Sequence, residues 1–297
     1  MKVRKAVIPA AGLGSRMLPV TKAMPKEMLP VVAVPAIQLI VEEAVAAGCD
    51  QILIITNRGK GTIEDYFDYA PDLEERLLKD GKEEDAKLVH DVADLADICF
   101  LRQKETKGLG HAISRAKTFV GNEPFAILLG DGIIKSKVPA MKQIVDAAEE
   151  NDCSAIAIRE VPDELIVKYS SVKMEQQLSN NVWRITDMNE KPTLEEKLSQ
   201  FSVLDRYVLM PEIFDILDHT APGRNNEIQL TDAMKEMCHS FPFVGVDFEG
   251  KRYDTGNPKG YLETIIDYGL DDPQVGEWLK NFIFEKYKSI HISDKTK

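Results

Sequence analysis

Residues 8–30 read Ile-Pro-Ala-Ala-Gly-Leu-Gly-Ser-Arg-Met-Leu-Pro-Val-Thr-Lys-Ala-Met-Pro-Lys-Glu-Met-Leu-Pro. The segment Val3–Pro9 predicts a first buried strand, which runs straight into a loop containing Gly12 and Gly14. A glycine-rich turn that leaves a strand lets backbone N–H groups approach a phosphate closely, because no Cβ intervenes. The stretch therefore predicts a strand followed by an anion-binding loop.

Three cations follow this loop within a dozen residues. They are Arg16, Lys22 and Lys26, and prolines are interleaved among them. Prolines stiffen the chain, so these cations lose little conformational entropy when a polyanion binds. We expect the segment to hold a nucleoside triphosphate.

The glycine spacing argues against two common phosphate loops. The third glycine of the dinucleotide-binding fingerprint is replaced by Met17, and the chain contains no G-x-x-x-x-G-K-[S/T] motif. A Walker-type nucleotidase is therefore not expected. On the glycines alone, an ordinary strand-to-helix turn remains an equally good interpretation.

The charge and hydropathy of the chain limit its partners. A net charge of −12 argues against a nucleic-acid partner, which normally meets a basic surface. An acidic protein that binds a triphosphate must concentrate its cations locally and recruit a divalent metal.

No apolar run approaches the roughly 20 residues that cross a bilayer, and the N-terminus enters a strand without a secretory segment. We expect a cytoplasmic protein without a membrane partner.

The cysteines predict neither a disulfide nor a metal site. Cys49, Cys99, Cys153 and Cys238 are far apart, and none forms a C-x-x-C motif. Only Cys238 has a neighbouring histidine. We expect all four to be buried free thiols.

Apolar runs and helical patterns alternate through the first half of the chain. Predicted strands are 3–9, 52–56, 98–101 and 125–129, and predicted helices are 36–47, 62–67, 71–96 and 111–118. Such alternation is typical of a parallel sheet covered by helices on both faces. We therefore predict the α/β class, with a Rossmann-like, mixed but mostly parallel central sheet.

The second half carries more strands. We predict strands over 154–159, 182–190, 201–209 and 243–248, and helices over 227–238, 258–270 and 273–288. They suggest a small β segment over one side of the nucleotide site and a helical C-terminus. The expected organisation is a domain of residues 1–257, with a nucleotide half at about 1–135 and a sugar-binding half at about 136–257. The segment 258–297 is expected to be helical. Its aromatic side chains fit simple surface packing or an oligomer contact equally well.

Eight short motifs in order carry a resemblance over nearly the whole chain. They are Pro25-Lys-Glu-Met-Leu-Pro30, Arg102-Gln103, Gly108-Leu-Gly-His-Ala112, Leu129-Gly-Asp131, Glu190-Lys-Pro192, Arg206-Tyr-Val-Leu209, Glu227-Ile-Gln-Leu-Thr-Asp232 and Lys251-Arg-Tyr-Asp-Thr-Gly256. Together they resemble the sugar-nucleotide pyrophosphorylase family. The resemblance implies a reaction in which UTP and a sugar 1-phosphate give a UDP-sugar and pyrophosphate. In the part of the family that the chain resembles most, the sugar 1-phosphate is glucose 1-phosphate. It also implies a homodimer or homotetramer.

Two aspartates are candidate metal ligands. Asp131 follows the apolar strand 125–129, and ligands gather at the carboxyl ends of parallel strands. Asp254 follows another strand-like stretch. Each aspartate alone is as well explained as a turn or helix-capping residue. The resemblance implies that both bind the cofactor Mg²⁺, which takes few protein carboxylates and completes its shell with phosphates and water.

The resemblance also implies roles for the remaining site residues. Arg16 is expected to stabilise the leaving pyrophosphate, Lys26 to contact the nucleotide phosphates and Lys191 to hold the sugar phosphate. With Asp131 these are the candidate catalytic residues. Glu190 is expected to accept hydrogen bonds from sugar hydroxyls. The expected nucleotide-binding residues are Ala10, Ala11, Gly12, Gly14, Glu27, Gln103 and Gly108. His111 is expected to be structural.

Three departures from the family pattern leave the sugar and nucleotide preference open. Gly132 replaces an aspartate, while Ser170 and Asp205 replace glycines close to the sugar. A side chain at 170 or 205 could change sugar choice or block binding by crowding and charge repulsion. We therefore keep an alternative, a weakly active or inactive regulatory relative that binds sugar nucleotide. The phosphate and metal residues are all present, which favours the transferase.

Overall fold

The computed structural model describes the backbone of residues 1–294, together with the side chains in that range other than those of Arg224 and residues 289–294. Its strands are Lys5–Pro9 (β1), Pro30–Val31 (β2), Val34–Pro35 (β3), Gln51–Thr56 (β4), Asp97–Arg102 (β5), Phe125–Leu128 (β6), Gly132–Lys135 (β7), Ser154–Glu160 (β8), Ser170–Ser179 (β9), Val182–Glu190 (β10), Phe201–Leu209 (β11), Phe243–Asp247 (β12) and Lys251–Asp254 (β13).

The α-helices alternate with these strands. They are Ala36–Ala46 (α1), Gly61–Phe67 (α2), Pro71–Lys79 (α3), Glu83–Ala93 (α4), Leu109–Ser114 (α5), Lys117–Val120 (α6), Ala140–Asn151 (α7), Asp163–Ile166 (α8), Ile213–Leu217 (α9), Leu230–Ser240 (α10), Pro258–Asp271 (α11) and Gly276–Asp294 (α12). The predicted C-terminal helices are thus confirmed through residue 294, and residues 295–297 of the predicted segment lie outside the described residues. None of the helices within residues 1–294 combines the length and apolar character needed to cross a membrane.

A central sheet organises the molecule, with strand order β5-β4-β1-β6-β11-β8-β12-β10-β9. Strands β11 and β10 run against the other seven, so the sheet is mixed but mostly parallel, as predicted. The strands predicted for the β segment are β8, β10 and β11, and all three lie within this main sheet, where β10 pairs with β9 at the edge. A separate two-stranded sheet pairs β7 with β13 and places Asp254 opposite Gly132.

Two apolar layers cover the two faces of the sheet. On β1, Ala6 and Ile8 pack into the layer beneath α1 and α7, whereas Val7 packs with Phe125 into the layer beneath α5 and α10. This alternation follows from the period of two along a strand. Because both faces are covered, the strands carry almost continuous apolar runs, and the polar groups concentrate at the strand ends.

Several predicted helix boundaries are wrong. The single helix over 71–96 is two helices, broken where Gly81 adopts a left-handed backbone with φ +72°. The helix over 111–118 begins two residues earlier at Leu109 and is also split in two. The helix predicted from residue 227 begins at Leu230, because the Ile228 backbone is hydrogen-bonded to the loop at 107–110. Strand β9, helix α7 and the β7–β13 pair were not predicted.

Candidate active site

Two adjoining cavities open at the carboxyl ends of β1 and β6. The first, about 380 Å³, lies against the glycine-rich loop and is lined by Ala11, Gly12, Lys26, Gln103, Gly108 and Asp131 among others. The second, about 360 Å³, lies against β9–β11 and is lined by Arg16, Asp131, Glu190, Lys191, Asp205 and Asp254 among others. Asp131 lines both cavities. Two ligands in the two cavities would therefore meet at this carboxylate.

The glycine-rich loop is held from behind by side chains that follow β4. The Lys60 ammonium donates to the carbonyl of Ala10, and the Asn57 amide donates to the carbonyl of Ala11. In a trans peptide the N–H points away from the preceding carbonyl. These two bonds therefore turn the N–H groups of Ala11 and Gly12 toward the first cavity, where both residues form the wall.

A buried ion pair supports the same loop. Lys60 lies 2.7 Å from Oε2 of Glu27, and the two side chains are 7% and 0% exposed. Burial raises the pKa of Glu27 and lowers that of Lys60, although each partner opposes the effect on the other. The other carboxylate oxygen of Glu27 is buried without a partner among the described residues. The position of the loop thus depends on a buried pair of opposite charges in direct contact.

The two cations of the loop meet the two candidate metal ligands between the cavities. Nζ of Lys26 lies 2.6 Å from Oδ2 of Asp131. The Arg16 guanidinium lies 3.6 Å from Asp131 and 3.3 Å from Asp254. Arg16 is 59% exposed, so its charge faces the open side of the site. This cluster alternates positive and negative groups, as a site for phosphates and a metal requires.

The Lys26–Asp131 pair remains charged over a wide pH range. Burial opposes ionisation of Asp131, but the Lys26 ammonium and Arg16 hold the pKa of that carboxyl below its usual range. Burial also disfavours the Lys26 ammonium, yet Asp131 and Glu27 raise its pKa. The stabilisation from Asp131 is present above the ordinary carboxyl pKa of about 4 and is lost as the pH falls through the depressed value.

The geometry around Gly256 fits a divalent cation. A Cβ built on Gly256 would lie 2.7 Å from Oδ2 of Asp131 and 3.0 Å from Oδ1 of Asp254. The two carboxylates therefore face one small space, which only a residue without a side chain leaves open. Among the described residues, no group of three or more His, Cys, Asp or Glu could hold a metal. Two carboxylates fit Mg²⁺, which binds through one or two carboxylates together with substrate phosphates.

Replacing Gly256 by alanine is expected to reduce catalysis without unfolding the protein. The new methyl group would also lie 2.7 Å from the Arg16 guanidinium, so it would separate the three charged groups. A displacement of about 1 Å at reacting groups can cost about 10²-fold in rate, and we expect a loss of that order. Steady-state kinetics and thermal unfolding measure the two effects. Gly61→Ala is the matched control, because its Cβ would meet nothing within 4 Å. Equal activity of Gly256→Ala and the control would contradict this interpretation.

The second cavity is lined by both basic and acidic side chains. Lys191 adopts a left-handed backbone with φ +43°, and its N–H donates to the carbonyl of Tyr169 at 2.7 Å. This turn directs Lys191 back over the end of β10, where its ammonium lies 3.2 Å from Glu190. The predicted pair Glu190–Lys191 thus faces the same cavity as Asp131 and Asp254.

In the wall of the first cavity, Gln103 directly follows β5. Its amide donates to the carbonyl of Gly108 at 3.3 Å and lies 2.8 Å from Nδ1 of His111. Gly108 has φ +98°, and its Cβ would lie 2.7 Å from the carbonyl of Ile228, so a side chain there is excluded. His111 thus orients the amide of Gln103, which agrees with its predicted structural role.

Three predicted site residues do not line either cavity. Ala10 is fully buried, and its N–H donates to Ile55. Glu27 lies beneath the loop in the pair with Lys60, and Gly14 forms the left-handed turn at the end of the loop. Their predicted contacts with nucleotide stay predictions.

Sequence reasoning missed several residues of the site. They are Asn57, Lys60, Tyr169, Glu227 and Arg252. Only the Asn57–Lys60 turn after a predicted strand offered a signal, since polar groups at a strand end often face a ligand.

The cysteine prediction is wrong at one position. Cys49, Cys153 and Cys238 are buried free thiols, whereas Cys99 is an exposed free thiol. Cys99 lies on β5, one of the two edge strands of the sheet, where fewer neighbouring side chains cover each face.

Comparisons with known proteins find relatives over most of the chain. Residues 5–269 match the family model described as nucleotidyl transferase. A curated protein of Staphylococcus epidermidis, named UTP–glucose-1-phosphate uridylyltransferase, is 48% identical over 282 residues, which is 95% of this chain and 98% of the relative. A crystal structure of UDP-glucose pyrophosphorylase complexed with UDP-glucose is 41% identical, with a TM-score of 0.82 over 91% of this chain and all of the other. The UTP-bound UGPase from Acinetobacter baumannii is 34% identical, with a TM-score of 0.87 over 95% and 99% of the two chains.

Proposed function

This chain belongs to the nucleotidyl transferase family, and from that premise we propose that it is a UTP–glucose-1-phosphate uridylyltransferase. It joins UTP and glucose 1-phosphate to give UDP-glucose and pyrophosphate. The observation that carries the proposal is the pair of cavities that meet at Asp131, between a cationic loop and a second acidic residue. The relatives named for this activity cover almost the whole chain, which supports the same assignment.

The reaction requires positioning and charge neutralisation more than covalent chemistry. A phosphate oxygen of glucose 1-phosphate attacks the α-phosphorus of UTP in line, and the bond to the bridging oxygen of the β-phosphate breaks. The electron pair leaves on pyrophosphate, and no covalent enzyme intermediate forms. Catalysis of such transfers comes from aligning the reactants and stabilising the developing negative charge.

The cofactor we propose is Mg²⁺, held by Asp131 and Asp254. When bound, such an ion neutralises phosphate oxygens and orients them. The convergence of both carboxylates beside Gly256 supports this donor set. Thr255 strengthens it, because its N–H and hydroxyl both donate to the carbonyl of Asp131, at 2.9 and 3.0 Å. The two ligand-bearing segments are therefore tied together before any ion binds.

The nucleotide is proposed to occupy the first cavity. The N–H groups of Ala11 and Gly12 face its base or phosphates. The amide nitrogen of Gln103 is directed at Gly108 and His111, so its carbonyl oxygen is proposed to accept from the N–H of the uracil edge. Lys26 contacts the phosphates, and Arg16, at the open side, receives the leaving pyrophosphate. Ala10, Gly14, Glu27 and Gly108 complete the proposed nucleotide-binding set by shaping the loops.

The sugar phosphate is proposed to occupy the second cavity. Lys191 holds its phosphate, and Glu190 accepts hydrogen bonds from sugar hydroxyls. Since both cavities share Asp131, a phosphate held by Lys191 in the second cavity would meet the α-phosphate of a nucleotide in the first cavity beside that carboxylate. The transfer requires this phosphate to attack in line with the leaving pyrophosphate.

The regulatory alternative was motivated by Ser170 and Asp205, and the structure gives both residues another explanation. Ser170 is buried, and its hydroxyl accepts from the N–H of Val203 at 3.1 Å, so it packs within the sheet. The carboxylate of Asp205 is paired with Arg252, which neutralises the charge that would repel a phosphate. Neither departure requires an inactive site.

A substrate panel tests the proposed function. We expect pyrophosphate release with Mg²⁺ to be fastest for UTP with glucose 1-phosphate among four nucleoside triphosphates and several sugar 1-phosphates. A coupled assay for pyrophosphate measures it, and chelation of the metal should abolish it. If UDP-glucose binds but no pair of substrates turns over, the regulatory alternative is correct.

We also propose an assembly, a domain division and a cellular location. We propose that α12 mediates self-association into a homodimer or homotetramer, because it exposes Trp278, Phe282, Phe284 and Tyr287 within the part of α12 whose side chains are described. Light scattering of the purified chain should give two or four times the 33.3 kDa of one copy. We further propose a nucleotide half at about 1–135 and a sugar-binding half at about 136–257. A cytoplasmic location without nucleic-acid or membrane partners is also a proposal.

A further inference from the structure

Asp205 has an unusual backbone in the wall of the second cavity. It lies in β11, where pairing with β8 shifts register between Val203 and Tyr207, and it adopts φ +59°. A left-handed conformation costs a residue with a side chain about 1–2 kcal/mol, and such costs concentrate at functional positions. The Asp205 side chain is nevertheless buried, at 5% exposure. The conformation directs this carboxylate toward β7 and β13.

The carboxylate occupies the space that a side chain at residue 132 would need. A Cβ built on Gly132 would lie 2.1 Å from Oδ2 and 2.5 Å from Cγ of Asp205. Real Cβ atoms do not approach other atoms so closely. A side chain therefore fits at position 205 or at position 132, but not at both.

The partner of this carboxylate is Arg252 on β13. Nε and Nη2 of Arg252 both donate to Asp205, the second at 3.1 Å, in a bidentate pair whose side chains are 18% and 7% exposed. The guanidinium also donates to the hydroxyl of Tyr169 at 3.3 Å and lies 5.2 Å from the centre of its ring. Burial disfavours the guanidinium charge, but Asp205 outweighs it and raises the pKa of Arg252.

This pair acts on the strand that carries Asp254. Arg252 precedes Asp254 by two residues on β13, so the two side chains lie on the same face of the strand. Both face the second cavity together with Tyr169. Asp205 therefore joins β11 of the main sheet to β13 and restrains the strand at the position from which Asp254 reaches the other carboxylate.

We propose that Asp205 is a positioning residue for the sugar 1-phosphate, holding Arg252 in the wall of the second cavity, and that Gly132 and Asp205 form one unit in which the carboxylate can come from either position. The proposal rests on the proposed function. It assigns a role in substrate positioning to a residue whose side chain contacts Arg252 and the space above Gly132.

Asp205→Asn tests the positioning role, because it keeps the shape and removes the charge. Asparagine has one acceptor oxygen and cannot hold both guanidinium nitrogens, so Arg252 loses its fixed position in the cavity wall and we expect the KM for glucose 1-phosphate to rise about tenfold. The KM for UTP should stay within about twofold, since the first cavity is not touched. Asp247→Asn is the matched control: it removes a carboxylate paired with Arg159 at 3.3 Å, away from either cavity wall. A rise of both KM values together, or no change, would overturn the role.

The exchangeable unit is tested by Asp205→Gly, Gly132→Asp and their combination. Gly132→Asp alone is expected to be the most impaired, because two carboxylates compete for one space beside a single arginine. The double variant should have a kcat/KM for glucose 1-phosphate at least about tenfold above that of Gly132→Asp. Two independent sites would not give such a non-additive result. A double variant no better than the worse single variant would overturn this part of the proposal.

Two outcomes separate this inference from the proposed function. If the unchanged protein releases no pyrophosphate, the proposed function fails. The affinity for UDP-glucose, measured by calorimetry, then tests the positioning role of Asp205. Binding to Asp205→Asn about tenfold weaker than to the unchanged protein would support it, and equal binding would overturn it. If a glycine variant fails to fold, the Asp205→Asn comparison still decides the positioning role.

Discussion

Asp131→Asn is expected to lower kcat for UDP-glucose formation by about 10³-fold or more, which is about 4 kcal/mol of transition-state stabilisation. Asparagine keeps the size of the side chain but removes the negative charge that faces Asp254 across the space beside Gly256. It also removes the partner of Lys26, which lies 2.6 Å away. One change therefore affects the proposed metal site and the nearest phosphate-binding cation, at the point where both cavities meet.

The measurement is single-turnover and steady-state pyrophosphate release at saturating Mg²⁺. Asp50→Asn is the control, because Asp50 is an exposed carboxylate that pairs with Arg4 at the surface. We expect the control to be fully active and Asp131→Asn to keep its thermal stability within a few degrees. Activity of Asp131→Asn within tenfold of the unchanged protein would contradict the proposed role.

Lys60→Met is expected to lower the free energy of unfolding by about 3–5 kcal/mol at neutral pH, as when one partner of a buried ion pair is removed. Methionine fills similar space but leaves the fully buried Glu27 without its cation. Burial already raises the pKa of Glu27, and loss of Lys60 should raise it further. The native state then binds the proton more tightly than the unfolded state, so the deficit grows as the pH rises and shrinks toward about pH 4.

Urea unfolding between acidic and neutral pH measures this effect. The double variant Lys60→Met/Glu27→Gln is the control, since it removes both charges, and we expect it to recover a substantial part of the lost stability and to lose the pH dependence. The loop carbonyl of Ala10 also loses its donor, so both variants should bind UTP more weakly. A deficit of Lys60→Met below about 1 kcal/mol that does not vary with pH would contradict the analysis.

The parallel strands in the first half of the chain could be predicted because they are buried on both faces of the sheet. Apolar runs such as 52–56 and 125–129 have few alternatives, and the structure confirms them as β4 and β6. Helix boundaries that depend on distant contacts could not be predicted. Residues 227–229 have a helical pattern, yet they lie outside the helix because Ile228 is hydrogen-bonded to Lys107, more than a hundred residues away in sequence.

The site was predictable where one short segment carries it. Gly12, Arg16 and Lys26 follow from a strand, a turn and local charge. The pairing of Asp131 with Asp254 depends on β7 meeting β13, and no periodicity links segments so far apart. Lys60 looks like a solvated lysine before a helix, and only the fold reveals that it is buried against Glu27. Asp205 was expected either to change sugar choice or to block binding, because the sequence does not show that Arg252 is its partner.

The central claim is that Asp131 and Asp254 hold one divalent ion between the two cavities, in front of the basic loop. A crystal grown with Mn²⁺ and UDP-glucose tests it most directly through the anomalous signal of the metal. The account predicts one anomalous peak within coordination distance of both carboxylates and of a phosphate oxygen, with the Arg16 guanidinium beside the phosphates. A peak bound to neither carboxylate, or two carboxylates turned away from each other around the bound nucleotide sugar, would contradict it.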